Sequence, residues 1–511
     1  MKLIKLNLLL ILLCFYVSLA EAQPTYNLPD GIEEKDISQE FIVVKLKADT
    51  GGGKSGRKGS QSILANRAHS RFLTYLNDQA GNQNIRYQQH PLRNIYKVRI
   101  GEDENPVEVI NNLLQHDDVL YAEPYFKHER LFIPDDPHAQ PGGNQWYLSN
   151  IRAYDAWTIE KGDTSIVIGV LDSGVLPQHR DFADNLYINL DDPINGIDDD
   201  LDGLVDNRNG WDIADNDNNP IADTDLHGHQ VTGVSSASTN NGLDIAGVGF
   251  KSRFLPIKIF KSGSDIFANG YEGIALAADL GCQVINLSWG SANSFSQAGQ
   301  DIINYAVEVQ DAVIVAAAGN TNAQLDFYPA SFKNVLSVGA SNQNDVKADF
   351  ATFSYNIDLM APGKSIFVSN GLTSFSTSQG TSFSSPMVAG AAALVRSRFP
   401  DLNAKQVMER LRVNADDIYE IPGNENFTGL LGKGRLNIHE ALTNDISPSV
   451  RIEHFEYTNG LGKYAFFGDT LSIAVNLKNY LTPTTTNARA VLSSPTENVI
   501  VLQPEFRFGK L

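Results

Sequence analysis

The sequence predicts an α/β protein: a parallel sheet with helices on both faces, preceded by a small α+β unit and followed by a partial β-sandwich-like segment. Three observations carry that prediction. Short, continuously apolar runs recur at "SIVIGVL", "RFLPIKI", "CQVINLS", "AVIVAAA" and "NVLSVGA"; lacking polar alternation, they read as strands buried on both faces. The segments between them, "HQVTGVSSAS", "GYEGIALAADLG" and "AGQDIINYAVEVQ", read as helices, and such alternation implies crossover connections and parallel pairing. After Ser447 the texture changes. In "DTLSIAVNLKNY", Leu471, Ile473, Val475 and Leu477 fall on one face, the pattern of a half-buried antiparallel strand.

From the N-terminus, "MKLIKLNLLLILLCFYVSLAEAQ" places Lys2 and Lys5 before an apolar core, Leu8 to Val17, and a small-residue cleavage site at Ala20-Glu21-Ala22. This predicts an export signal over residues 1–22 and a secreted product, because the apolar part is too short for a stable membrane span. Cleavage removes Cys14 and leaves Cys282 alone, so the mature chain has no internal disulfide and depends on its core or on metal.

Residues 23–140 hold the α+β unit and a linker. "FIVVKLKA", "IYKVRI" and "VLYAEPYF" read as strands, "ILANRAHSRFLTYL" and "ENPVEVINNLLQH" as helices. The second helix has Pro106 in its first turn and Val107, Ile110, Leu113 and Leu114 at helical spacing. "GGGKS" at 51–55 is a flexible loop, since Ala48 stands where a phosphate loop needs glycine. "LFIPDDPHAQPGG" is a Pro/Gly-rich linker. The parallel-sheet pattern occupies 141–445. The β-rich segment, 446–511, falls short of the ~100 residues of a full sandwich, and a truncated domain is expected.

A net charge of −20, with 42% hydrophobic and 20% charged residues, fits a globular chain and argues against nucleic acid or anionic membrane as partners. The acidity is local. Between Asp191 and Asp225, Arg208 is the sole basic residue among many aspartates.

Three strand or helix ends deliver polar groups that make chemical sense together. "VIGVLDSGV" places Asp172 just past a buried strand, "VAAAGN" does so for Asn320, and "GTSFSSPMVAGAAALV" puts Ser382 ahead of a helix whose first turn carries Pro386. A serine at a helix N-terminus lies beside free N–H groups that can stabilise an oxyanion. It is a poor nucleophile without a base near neutrality, and histidine is the natural one. "DLHGHQVTG" offers His227 and His229. The histidine in turn needs a buried carboxylate to fix its tautomer, and Asp172 fits that role.

The order Asp, His, Ser and these surroundings resemble the subtilisin-like serine proteases. The family's HGTHVAG motif reads here "HGHQVTG", which puts His227 at the catalytic position, His229 where the family has threonine and Gln230 where it has its second histidine. GTSxA[ST]PHVAG reads "GTSFSSPMVAG", with Ser384 for alanine and Met387 for histidine. "INLSWG" matches the substrate-binding strand through Ser288, Trp289 and Gly290, and "AAAGN" gives Asn320 as oxyanion donor. The resemblance spans about residues 143–445. It implies an endopeptidase acting on protein or peptide substrates. It further implies that the unit at 40–126 is a prodomain, which templates folding and inhibits the enzyme intramolecularly until cleaved.

In "DDDLDGLVD", Asp198, Asp200 and Asp202 alternate before Gly203, with Asp206 four residues after Asp202. Hard oxygen ligands at that spacing can wrap Ca2+, although Asn209 at the twelfth position rules out a full EF-hand. The resemblance implies a second calcium site at Asp181, Asn241 and the carbonyls of Leu243 and Ile245. Two rivals remain open: a catalytically dead protease scaffold acting as a calcium-dependent surface-binding protein, and an α/β-hydrolase. The second lacks a G-x-S-x-G elbow around Ser382.

Overall fold

The computed structural model describes residues 25–29, 32, 34–47, 85–86, 95–101, 103–127 and 132–511, apart from 265, 461, 463–465 and 495–497. The export signal, the 51–55 loop and the helix expected at "ILANRAHSRFLTYL" lie outside the described residues. Two compact units divide at Arg130/Leu131.

In the first unit, β1 (Ile37–Leu46), β2 (Ile85–Arg86), β3 (Ile95–Arg99) and β4 (Val119–Phe126) form an antiparallel sheet in the order β2-β3-β1-β4. α1 (Pro106–Leu113) is capped by Asn105, whose Oδ1 accepts from Val107 N at 2.9 Å. Pro106 at the first helical position needs no donor there. Ile110 and Leu113 pack with Ile42, Val44 and Val98 in one core.

In the second unit, α2 (Tyr147–Asn150) and α3 (Ala153–Ile159) lead into β5 (Val167–Asp172). Then come β6 (Trp211–Asp212), α4 (His227–Ser236), β7 (Arg253–Lys258), α5 (Gly270–Asp279), β8 (Val284–Leu287), β9 (Ser291–Ala292), α6 (Gln297–Asn304) and β10 (Val313–Ala317). β11 (Phe327–Tyr328), β12 (Leu336–Ser341), β13 (Leu359–Pro362), β14 (Ile366–Ser369), β15 (Phe375–Ser378), α7 (Thr381–Arg398), α8 (Ala404–Val413) and α9 (Ile438–Thr443) complete the α/β part. The sheet order is β13-β12-β10-β8-β5-β7-β6, every pairing parallel. Every residue of β5, β8, β10 and β12 is buried, as continuous apolar runs require. The chain runs from β5 out to β7 and returns to β8 on β5's other side. The strand order therefore reverses beside β5, and ligand crevices form at the carboxyl ends of strands at such a point.

The 131–143 stretch, expected to be a linker, is built into the second unit. Asp136 and Ala139 are fully buried, and Asp136 Oδ2 accepts from Asn240 N at 2.8 Å. At the other end, β16 (Val450–Thr458) pairs antiparallel with β17 (Ser472–Asn479), and β18 (Arg489–Val491) with β19 (Glu505–Arg507), as separate ladders. The alternating face of β17 is less covered than expected, with Ile473 44% exposed. The base of the hairpin is clamped to the α/β part. Arg451 ion-pairs with Glu409 of α8 and, at 2.6 Å, with Asp358; Arg412 reaches Glu409 at 2.6 Å, and the Ser449 hydroxyl donates to the same carboxylate.

Candidate active site

β5 ends on Asp172, which is 2% exposed. Its Oδ1 accepts from Ser173 N at 2.8 Å and from His227 Nδ1 at 2.8 Å. His227 opens α4, whose start is fixed by Ser173: Gly228 N donates to its Oγ at 2.9 Å, and that hydroxyl donates to Asp225 O at 3.1 Å. Glycine is required at 228. A Cβ there would stand 2.5 Å from Gly174 O and 2.9 Å from the Asp172 Cβ, so only a bare backbone lets the helix meet the strand end. With Nδ1–H given to Asp172, Nε2 is the lone-pair nitrogen. Burial acts to lower the His227 pKa; the charge of Asp172, its hydrogen bond and Asp225 outweigh that, and the net direction is upward.

Ser382 is the second residue of α7 rather than the residue ahead of it, and Pro386 stands inside the helix. A proline there cannot donate to the carbonyl four residues back, that of Ser382. The Ser288 hydroxyl supplies the missing bond, donating to Ser382 O at 2.9 Å, while Ser382 Oγ donates to Ser288 O at 3.3 Å. Phe383, next along the helix, sets its ring 5.9 Å from the His227 imidazole. The helices that carry His227 and Ser382 pack on each other, with Ser382 Oγ given to Ser288 O. Catalytic hydrogen bonds often form or tighten only with substrate.

Asn320 follows β10. Its Oδ1 accepts from Thr381 N at 2.9 Å and Thr381 Oγ1 at 3.0 Å, which fixes the amide and leaves Nδ2 to face the cleft. Gly380 has φ +148, and a Cβ on it would lie 3.3 Å from Asn320 Nδ2 and 3.7 Å from Ser382 N. Two donors thus converge on a space kept open by a missing side chain. Gly380 and Thr381 were not singled out in the sequence; the glycine's φ is the feature that marks them.

Ser288 is buried and tied to Asn286, Ser382 and Ser385, so its side chain braces the serine helix and only its backbone borders the cleft. Trp289 packs on Phe267 at 4.8 Å and Tyr271 at 5.6 Å. A Cβ on Gly290 would stand 2.4 Å from Tyr328 O.

His229 is fully buried and turned away from the cleft. Its Nδ1 accepts from Leu176 N at 3.4 Å, and His179 Nδ1 accepts from Asp181 N at 3.2 Å. Both Nε2–H groups can then donate to Ser369 Oγ at 3.0 Å, and that hydroxyl donates to Gly371 O at 3.2 Å. Burial, then the neighbouring His179, push the His229 pKa down to about 4.

In the acidic loop, ligand oxygens of Asp192, Asp198 and Asp200 lie within 4.8 Å of one another. Asp198 Oδ1 has no hydrogen-bond partner, as suits a metal ligand. Asp192 stands six residues before Asp198, outside the alternating run, and folding brings it to that pair. Asp202 and Asp206 lie outside that group and accept from Leu204 N at 2.8 Å and Asn195 N at 2.8 Å, as Asp192 and Asp198 also accept from neighbouring backbone N–H groups. Asp181 is fully buried and accepts from Asn241 Nδ2 at 2.8 Å and Ile245 N at 2.9 Å, while Asn241 Oδ1 accepts from Leu243 N at 2.9 Å. Burial pushes the Asp181 pKa up to about 6. Here Asn241 serves as donor, and a cation would need its amide turned over. Asp136, buried beside Asn240 and Asn241, adds a carboxylate that was read as linker.

Residues 163–434 match the sequence model of the subtilase family. The chain belongs to that family. Over 348 residues it is 33% identical to the thermophilic serine proteinase of Bacillus sp. (strain AK1), covering 68% of this chain and 77% of that protein. It is 31% identical over 312 residues to thermitase of Thermoactinomyces vulgaris, covering 61% and 99%. With the halolysin-like extracellular serine protease Nep of Natrialba magadii it shares 29% over 336 residues, covering 65% and 57%. As a subtilase, this chain is a serine-type endopeptidase.

Proposed function

We propose that this subtilase is exported as a zymogen and cleaves peptide bonds with Ser382 as nucleophile, His227 as base and Asp172 as its orienting carboxylate. The observation that carries the reading is the 2.8 Å contact between Asp172 Oδ1 and His227 Nδ1, which fixes the tautomer a base requires. Nε2 takes the Ser382 proton as Oγ attacks the carbonyl carbon. The carbonyl oxygen, now negative, moves into the space between Asn320 Nδ2 and Ser382 N. His227 then gives the proton to the leaving amine, and water repeats the sequence on the acyl-enzyme.

The unit at 40–126 acts as intramolecular inhibitor and chaperone. Export is supported by the N-terminal signal pattern and by the extracellular relative; among the described residues no helix is long and apolar enough to cross a membrane. Calcium stabilises the fold, held first by Asp192, Asp198 and Asp200 and second by the Asp181–Asn241 group with Asp136.

The test is a serine-directed phosphonate probe. It should label the purified mature protein once, at Ser382, and the labelled protein should lose all peptide hydrolysis. Absence of labelling, with the protein folded, favours the dead scaffold.

A further inference from the structure

We propose that Phe327 fills the groove receiving the side chain of the residue that supplies the scissile carbonyl, so that the enzyme cleaves after glycine, alanine and serine in preference to large residues. The proposal rests on the catalytic reading above and names the substrate class of that site.

β8 and β10 are parallel neighbours, registered from Val284↔Val313 to Leu287↔Ala316, so their continuations leave the sheet side by side. One continuation carries Ser288 to Gly290, the other Gly319 and Asn320. A carbonyl whose oxygen sits between Asn320 Nδ2 and Ser382 N has its own Cα beside them. The side chain on that Cα must enter between the two strand ends. The Phe327 ring already stands there. A Cβ on Gly290 would come 2.5 Å from its Cε1, and a Cβ on Gly319 2.6 Å from its Cδ2. The ring is thus wedged between the two backbones, and both positions are glycine where it touches them.

It is also held in place. Phe327 pairs with Ala292 in the β9–β11 ladder; its N–H donates to Ser331 Oγ at 3.1 Å and its carbonyl accepts from Ser331 N at 2.8 Å. Moving the ring out means disturbing that ladder. A benzyl group entering between the two backbones must displace the ring, whereas a methyl or hydroxymethyl group asks for far less of that space. A hydrophobic groove discriminates about 10–200-fold for a single methylene, so the contrast between alanine and phenylalanine should be at least about tenfold.

Three capped tetrapeptide p-nitroanilides, alike except for Ala, Leu or Phe before the scissile bond, are assayed with the mature enzyme and with Phe327→Ala and Phe327→Leu. Wild type should show kcat/KM at least about tenfold higher for Ala than for Phe. Phe327→Ala should raise the ratio of kcat/KM for the Phe substrate over the Ala substrate about tenfold or more; Phe327→Leu should fall between. A wild type that prefers Phe, with the ring serving as a stacking floor, overturns the proposal, as does an unchanged ratio in a Phe327→Ala enzyme that still cleaves the Ala substrate. If Phe327→Ala does not fold, the wild-type ratio and Phe327→Leu decide. Failure of the catalytic reading looks different, with no substrate cleaved and no phosphonate label on Ser382.

Discussion

Replacing Gly380 by alanine probes the anion-binding space directly. Its φ of +148 and ψ of 157 lie where essentially only glycine is relaxed, so any side chain costs about 1–3 kcal/mol in strain. The effect on chemistry should be larger. An oxyanion must sit ~2.7–3.1 Å from its donors. The added methyl would stand 3.3 Å from Asn320 Nδ2 and 3.7 Å from Ser382 N, in the volume that oxygen has to enter. Loss of one donor lowers kcat by about 10²–10³, a value measured in a subtilisin and so in a relative of this chain. Masking both should cost at least as much, about 3–4 kcal/mol of barrier. KM should change little, because the ground-state carbonyl makes little use of the hole. kcat and KM on a peptide p-nitroanilide, with the thermal midpoint alongside, separate chemistry from strain. Asn320→Ala supplies a second arm. Because the methyl already masks that donor, the double variant should be no more than about threefold slower than Gly380→Ala alone. Retention of more than about a tenth of wild-type kcat, or fully multiplicative losses, would refute the geometry.

Ser382→Ala should abolish hydrolysis and leave the precursor uncut on a denaturing gel; His227→Ala should also be inactive, while His229→Ala keeps substantial activity. The raised His227 pKa predicts that kcat/KM falls with acidification through a value above 6.5, since only neutral imidazole accepts the serine proton; a profile flat down to pH 5 contradicts it. His229 has its folded pKa lowered to about 4 from 6.5. The unfolded chain therefore binds the extra proton first, and stability is lost as pH falls below 6.5. The loss reaches about 3 kcal/mol by pH 4, and His229→Thr should flatten the thermal midpoint between pH 7 and pH 5. EGTA should lower the midpoint by several degrees and calcium restore it, magnesium poorly. At a hundredfold excess over Kd the ion contributes about 2.7 kcal/mol, and Asp192→Asn with Asp198→Asn should remove much of the response.

Where several levels of pattern agreed, the sequence could be read. The runs that became β5, β7, β8, β10 and β12 are apolar with few breaks, Asn286 in β8 and Ser337 in β12 among them, and a strand covered on both faces uses such a composition. Asp172, His227, Asn320 and Ser382 each sit at the end of an element, so placing the element places the residue. β6 and β13 escaped because two and four residues carry no period. The β14–β15 hairpin escaped because its polar "FSTS" arm shows no apolar alternation. Asp136 and Asp192 escaped for a different reason: their partners, Asn240 and the Asp198–Asp200 pair, are brought to them by folding. Trp289, matched by its motif to the family's substrate-binding strand, is partly exposed and packs its ring on Phe267 and Tyr271. The face of β17 has the alternation of a buried strand without the cover.

The clamp at the base of the C-terminal hairpin bears on how such an enzyme survives its own kind. Glu409 is 4% exposed; Arg451, which helps to neutralise it, and Ser449, which donates a hydrogen bond to it, belong to the segment after residue 446. Cutting that segment away would leave Glu409 with Arg412 alone and the buried Asp358 carboxylate without Arg451, and stripping a partner from a buried pair costs about 3–5 kcal/mol. A concentrated solution of protease is a mixture of blades and targets, and exposed junctions between modules are the first to be nicked. By lending the buried Glu409 one charge and one hydrogen bond, the tail ties its own loss to a loss of stability in the catalytic body. A copy that loses the tail there should melt at a lower temperature and be digested sooner than the intact chain.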